Sequence, residues 1–363
     1  MSPRGAEDRA PARQHPAAAA GARTARATVV GALPGEALIE AVSTLRGELG
    51  APHRSGLPPM PQRGASAETV PRTVSVLTEL HCDLQPHGWR IQRHDSKDSR
   101  AADSLLAGDL NVLADVIGAE TGGDREPVST ELLGPATLAA RLHLHNGERV
   151  LRDHGARRDL VESMADGIAE HVRAMRQAVD GREIVVRWSE PELQRVLDGA
   201  IPTASGYRSL RAVPWSELRG ALQQISQAAR SAGAAAVELV LPQAADPRRA
   251  ASTGVDRLVL AAPGPAVADW EPIAALAESG IGLVLRLSGA AEAAAQATRV
   301  SSVAAVASIV TPWQDLGLRP ADLAGLMVAA GPGLELTTPG RVREALALVA
   351  DVAHGLQESS REG

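Results

Sequence analysis

The chain has 363 residues, 44% of them apolar, which is enough for one large domain or two ordinary ones around a sizeable core. A formal net charge of −6, with no basic stripe interleaved with aromatics, excludes nucleic acid as the main partner. No apolar run reaches the ~18–20 residues that span a bilayer, and a single cysteine, Cys82, excludes an intramolecular disulfide or a multi-cysteine metal site. These features fit a reducing cytoplasm. With no Phe, one Tyr and five Trp, the core must be filled by Ala, Leu and Val.

Residues 1–26 are rich in Ala and Arg and broken by Pro3, Pro11 and Pro16, so they read as a disordered tail. Eight β-rich runs follow, at 27–34, 72–86, 127–135, 182–191, 235–242, 256–263, 280–288 and 325–333. Several are continuously apolar, as expected of parallel strands buried on both faces. Most are separated by segments with helical spacing. One opens after Pro34 (35–50). The strongest (156–179) lines up Leu160, Met164, Ile168, His171, Val172 and Met175 on one face. Others cover 214–233, 268–280 and 340–356. Residues 358–363 read as a frayed end. The Pro-rich segment 50–68 is too long for a simple turn and reads as a lid or wrapping loop.

Eight strands alternating with helices predict an α/β fold, a single (β/α)8 TIM barrel over 27–357. An open doubly wound sheet is the alternative, but "GALPG" at 31–35 is not a dinucleotide-binding glycine motif. In such a barrel the site is built at the C-terminal ends of the strands. Those ends offer Asp83 and Gln85, which could hold an amine or carboxylate, then Ser189 and Glu190, Glu238, and Arg286 with Ser288. Glu190 and Glu238 are the candidates for an acid/base pair. His81 and Cys82 are adjacent and face opposite sides of a strand, so Cys82 reads as a small core residue. His143 and His145 share one face if their stretch is extended. No serine or cysteine nucleophile can be assembled with a histidine.

Several stretches, taken in order, resemble one family. They are "GALPG" (31–35), "GLPPMPQRG" (56–64), "RTVSVL" (72–77), "DLQPHGWRI" (83–91), "GPATLAARL" (134–142), "EPELQRVLDGAIPTASGYRSLRAV" (190–213) and "LGLRPADLAGLMV" (316–328). Over roughly 28–356 the chain resembles the C-terminal, catalytic barrel of cobalamin-independent methionine synthase, in the short single-barrel form of actinobacteria. The resemblance implies a barrel that moves a methyl group from methyltetrahydrofolate to homocysteine, with zinc holding the thiol as thiolate.

Carried over position by position, the resemblance places the expected zinc ligands on Glu238, Val240, Ala261 and about Pro332. The Asp-Glu-Pro of the amino-acid site falls on Ser189-Glu190-Pro191, and a first-strand serine on Ala32. Zinc needs four ligands, usually three or more from protein, and these positions supply one. The expectation is therefore a divergent member without metal or cofactor and without zinc-dependent methyl transfer. Asp83, Gln85, Ser189 and Glu190 would face an amino acid or folate at the barrel mouth. The alternatives are a barrel enzyme using Glu190 and Glu238 in acid/base chemistry, or an active methyltransferase. Oligomeric state is left open.

Overall fold

A computed structural model describes residues 23–120, 125–287 and 301–362. In chain order the elements are β1 (Arg26–Val29), α1 (Leu38–Glu48), β2 (Gly56–Leu57), α2 (Thr69–Val74), β3 (His81–Gln85), β4 (Gly88–Gln92), α3 (Lys97–Gly118), β5 (Val128–Leu133), α4 (Pro135–Arg141) and α5 (His154–Ala178). There follow β6 (Ile184–Ser189), α6 (Leu193–Leu197), α7 (Trp215–Ser231), β7 (Ala234–Val240), α8 (Pro247–Ala251), β8 (Arg257–Ala261), α9 (Val267–Glu278), β9 (Gly282–Arg286), α10 (Ser302–Asp315), β10 (Met327–Ala330) and α11 (Pro339–Ser359).

Eight parallel strands form one sheet in the order β1-β10-β9-β8-β7-β6-β5-β2. Its two edges meet where Arg54 N donates to Ala27 O at 2.9 Å and Thr28 bridges Arg54 in parallel. The sheet is thus a nearly closed barrel wrapped by helices, the TIM-like α/β architecture the apolar runs predict. On β6, the consecutive Ile184, Val185 and Val186 are all buried, because one face of the strand meets helices and the other the lumen. The helix face predicted on α5 is the buried one: Leu160, Met164, Ile168, His171, Val172 and Met175 all lie against the barrel. His171 Nε2 meets Thr130 Oγ1 of β5 at 3.1 Å, and burial pushes its imidazole down to about 3, so it serves as a neutral packing residue.

The second strand departs from the sequence reading. The run 72–86 is not a barrel strand: its first residues belong to the buried helix α2, and its last form one arm of the separate hairpin β3–β4. The barrel's second strand is the two-residue β2, inside the segment 50–68 read as a lid. Its Gly56 lies so close to Ser129 of β5 that a β-carbon would collide with it.

Asp83 and Gln85 are accordingly hairpin residues, not residues at a barrel strand end. The hairpin packs on the chain after α4, where Ile91 N donates to His143 O at 2.8 Å. Cys82 on its inner side is buried in the core, as predicted, and burial pushes its thiol up to about 12.

The N-terminal boundary also shifts slightly. Ala25 is buried and its N–H donates to Gln357 Oε1 at 2.9 Å, so the folded domain begins a little before 27. Residues 1–22 of the expected tail lie outside the described residues, as do Ser288 and Gly363. At the other end α11 runs through Ser359, past the expected boundary at 357. Among the described residues, no helix is long and apolar enough to cross a membrane.

Candidate functional site

The lumen of this barrel is charged. In-register residues of neighbouring parallel strands point to the same face, and Glu131 (β5), Arg187 (β6), Glu238 (β7) and Arg257 (β8) lie in one register row. That face is the inside. Arg187 Nη1 reaches across to Val29 O on β1 at 2.7 Å, and Arg54, just before β2, reaches Glu238 on β7. The four strands therefore carry a belt of alternating sign, minus, plus, minus, plus.

Glu238 is the centre of the belt and has no solvent exposure. Arg54 Nη2 donates to its Oε1 and Oε2 at 2.6 and 2.8 Å, Arg187 Nε and Nη2 donate to its Oε2 at 3.0 Å each, and Arg257 Nη1 stands 3.7 Å from Oε1. Burial raises its carboxyl, but the guanidiniums of Arg54, Arg187 and Arg257 outweigh that and hold it down at about 2. Arg54 in turn is lowered to about 10, burial outweighing its carboxylate partner. The rest of the lumen is apolar: Val30, Val240, Val259, Val284, Met327 and Ala329 form one buried cluster on the β1, β7–β10 side.

Nearer the mouth, Glu131 Oε2 accepts from Gly31 N at 3.0 Å and stands 3.4 Å from Arg187 Nη1. Arg286, at the end of β9, donates from Nη2 to Leu241 O at 3.0 Å. Its Nε, like Arg54 Nε and Thr28 Oγ1, is buried with no hydrogen-bond partner among the described residues. Arg54, Arg187, Arg257 and Arg286 against Glu131 and Glu238 leave an excess of two positive charges. The lumen and its mouth thus favour anions over cations.

Glu190 is placed differently. It too is fully buried, but its partners are the first turn of α4: Ala136 N donates to Oε1 at 2.9 Å, while Thr137 N and Thr137 Oγ1 donate to Oε2 at 2.7 and 2.6 Å. The carboxylate caps a helix N-terminus, where orphan N–H groups and the helix dipole favour an anion. Gly134 makes the approach possible, since a β-carbon there would collide with the Glu190 carboxyl group. Burial pushes Glu190 up to about 7 against the pull of these donors.

Glu190 and Glu238 therefore share no partner, and neither is open to a substrate. The structure does not bring together the two carboxylates expected from sequence as a pair: one is held by arginines and the other by the first turn of α4. Ser189 ends β6 on the same strand face as Arg187 and is half-buried at the mouth. Asp83 spends its carboxylate within the hairpin, accepting from Arg90 Nη2 at 2.7 Å, Gln85 Nε2 at 2.7 Å and Gln92 Nε2 at 2.8 Å. The Arg90 hydrogen bonds hold it below the usual carboxylate range. Gln85 is committed to Asp83, so this pair is internally satisfied.

Of the four positions the resemblance assigns to zinc, Glu238 is enclosed by arginines and Val240 sits in the apolar cluster. Ala261 ends β8, and Pro332 is exposed beyond β10. His143 is buried with Nδ1 3.3 Å from Trp89 O and packs edge-on against His87, while His145 is exposed. Among the described residues no group of three or more His, Cys, Asp or Glu is arranged to hold a metal ion.

Sequence reasoning missed Arg54, Glu131, Arg187 and Arg257. The usable signal was a lone charge inside an otherwise apolar run, Arg187 in "IVVRW" and Glu238 in "AVELV", since a charge buried in a strand requires a partner across the sheet or lumen.

The architecture defines the class of protein first: a TIM-like barrel with a salt-bridged lumen. Among solved structures it is similar to a B12-independent methionine synthase from Shewanella sp. W3-18-1, solved in complex with selenomethionine. The likeness has a TM-score of 0.54 at 9% identity and covers 91% of this chain and 97% of that one, so it supports the fold. No protein-family model and no curated protein matches the sequence.

Proposed function

We propose that this barrel keeps the architecture of the methionine synthase catalytic domain but is not a zinc-dependent homocysteine methyltransferase. It acts in the cytoplasm as a binding or regulatory barrel, with an anionic small molecule such as an amino acid or folate at its mouth. One observation carries this reading: Glu238, the sole potential ligand among the four expected zinc positions, is neutralised by Arg54 and Arg187 at 2.6–3.0 Å. A divalent cation there would meet an excess of positive charge and would have to displace two guanidiniums from a buried carboxylate. Zinc does not fit this donor set.

A free thiol, with a pKa of about 8.5, is only a few per cent ionised at neutral pH, and without metal the site lacks the ion that would remove that limit. The residues that remain at the mouth suit binding. Arg286 donates from Nη2 to Leu241 O at 3.0 Å, its buried Nε has no partner among the described residues, and a guanidinium in a partly buried site is a strong holder of carboxylate.

The test is elemental analysis of protein purified without chelator or metal-affinity resin, together with turnover of homocysteine and 5-methyltetrahydrofolate. Zinc near zero per chain and no methionine formed are the expected results. Zinc near one per chain with homocysteine-dependent turnover would overturn the reading.

A further inference from the structure

A second cationic region lies outside the lumen. It is formed by the connections that follow β5, β6 and β7, so it flanks the C-terminal face of the barrel, where substrates of this architecture enter. These connections enclose a groove of about 1210 Å³ between the start of α5, the loop 198–214, the start of α7 and α8. Five arginines and two acidic residues line it, on a chain whose formal net charge is −6. Arg152 is paired with Glu148 at 2.6 Å and Arg157 with Glu217 at 2.6 Å. Arg208, Arg211 and Arg249 are exposed and make no ion pair among the described residues; Arg249 lies 6.0 Å from the Trp215 ring. Three solvated guanidiniums without an ion-pair partner among the described residues thus line one groove, against one carboxylate outside an ion pair there, Asp198.

The second observation is apolar. Leu151, His154 and Arg157 are shared between this groove and a smaller chamber of about 150 Å³ between α4, α5 and α7, whose apolar wall includes Pro135, Ala139, Val161, Leu218 and Ala221 and whose polar side includes Arg158, Glu217 and Gln224. A volume on the order of 150 Å³ has room for a benzene-sized ring. Arg157 stands at the junction and is fixed there, donating to Glu217 Oε1 and Oε2 at 2.6 and 3.1 Å and to Leu151 O at 2.6 Å. A charged groove opening onto a chamber with an apolar wall matches a molecule with a multiply charged end and a compact apolar end.

We infer that this groove and chamber bind a small organic phosphate monoester, with its phosphate among Arg208, Arg211 and Arg249 and a ring-sized apolar group in the chamber beside α4. A phosphate dianion suits three guanidiniums better than a single carboxylate does, because it offers three acceptor oxygens and two charges. The site is separate from the lumen and independent of what the lumen binds.

Calorimetric titration of the full chain with phenyl phosphate, inorganic phosphate and phenol tests the inference. Phenyl phosphate saturates, and inorganic phosphate and phenol each bind at least about tenfold more weakly, a difference of about 1.4 kcal/mol. The double variant Arg208→Glu, Arg211→Glu, both on an exposed loop, loses at least about tenfold in phenyl phosphate affinity at an unchanged melting temperature. Ala221→Leu fills the chamber and brings phenyl phosphate down to the affinity of inorganic phosphate. Three outcomes overturn the inference: no saturable binding of phenyl phosphate at millimolar concentration, equal affinity for phenyl phosphate and inorganic phosphate in the unaltered protein, or an affinity that charge reversal leaves unchanged.

Discussion

Two fully buried glutamates, one in the lumen and one under the rim, solve the same problem in opposite ways. Glu238 is surrounded by whole positive charges, and the carboxyl is held down at about 2. Glu190 is surrounded by dipoles, two backbone N–H groups and one hydroxyl, and burial pushes it up to about 7. Both are satisfied in hydrogen bonds, so bond count does not separate them. What separates them is that a guanidinium returns Coulomb energy on the scale of the desolvation cost, whereas three neutral donors return less. The lumen is a closed electrostatic unit, and the rim carboxylate is a helix cap. Neither has the open geometry of a proton-transfer group.

The largest effect that should follow from this difference is on stability. Glu238→Ala leaves Arg54 and Arg187 buried without their carboxylate, and loss of one partner of a buried pair costs about 3–5 kcal/mol. Urea denaturation should register that loss, with Glu238→Gln falling in between because it keeps an acceptor. A loss below about 1 kcal/mol in Glu238→Ala would mean the lumen is hydrated and the belt is not a unit.

At the rim the corresponding test is steric. Gly134→Ala places a methyl group against the Glu190 carboxyl, so either the cap breaks or α4 shifts. Overpacking of this kind costs about 1–3 kcal/mol, again read by urea denaturation. An unchanged midpoint would show that Glu190 can swing away and that the cap contributes nothing.

The uneven legibility of the sequence follows from the same chemistry. Seven barrel strands are legible because each is a compact apolar run. β2 is not, because two residues, Gly56 and Leu57, carry no periodicity and are followed by Pro58 and Pro59. The β-branched "RTV" at 72–74 reads as the start of a strand, yet it folds in α2 because burial of Val70, Thr73 and Val74 outweighs a weak intrinsic preference. The same misreading carries Asp83 and Gln85 to a strand end they do not occupy. Glu190 and Glu238 are visible as carboxylates, but their roles depend on Arg54, Gly134 and Ala136, which are distant in sequence and carry no local pattern. Such pairing is a property of register and closure, not of any window of residues.

The finest test of the comparison is the sign of the pH dependence. Glu238, lowered from 4.5 to about 2, contributes stability that is present above pH 4.5 and lost as pH falls toward 2. Glu190, raised from 4.5 to about 7, contributes stability that is present below pH 4.5 and lost as pH rises through 7. The two slopes oppose each other and occupy different windows, so one variant separates them. Between pH 5 and 8 the stability of the unaltered protein should fall relative to Glu190→Gln, by at most about 1.4 kcal/mol per pH unit. Histidine titrations are common to both proteins and cancel in the difference. Parallel curves would mean that the three donors of α4 keep Glu190 ionised throughout, and that dipoles at a helix end can match what two arginines do in the lumen.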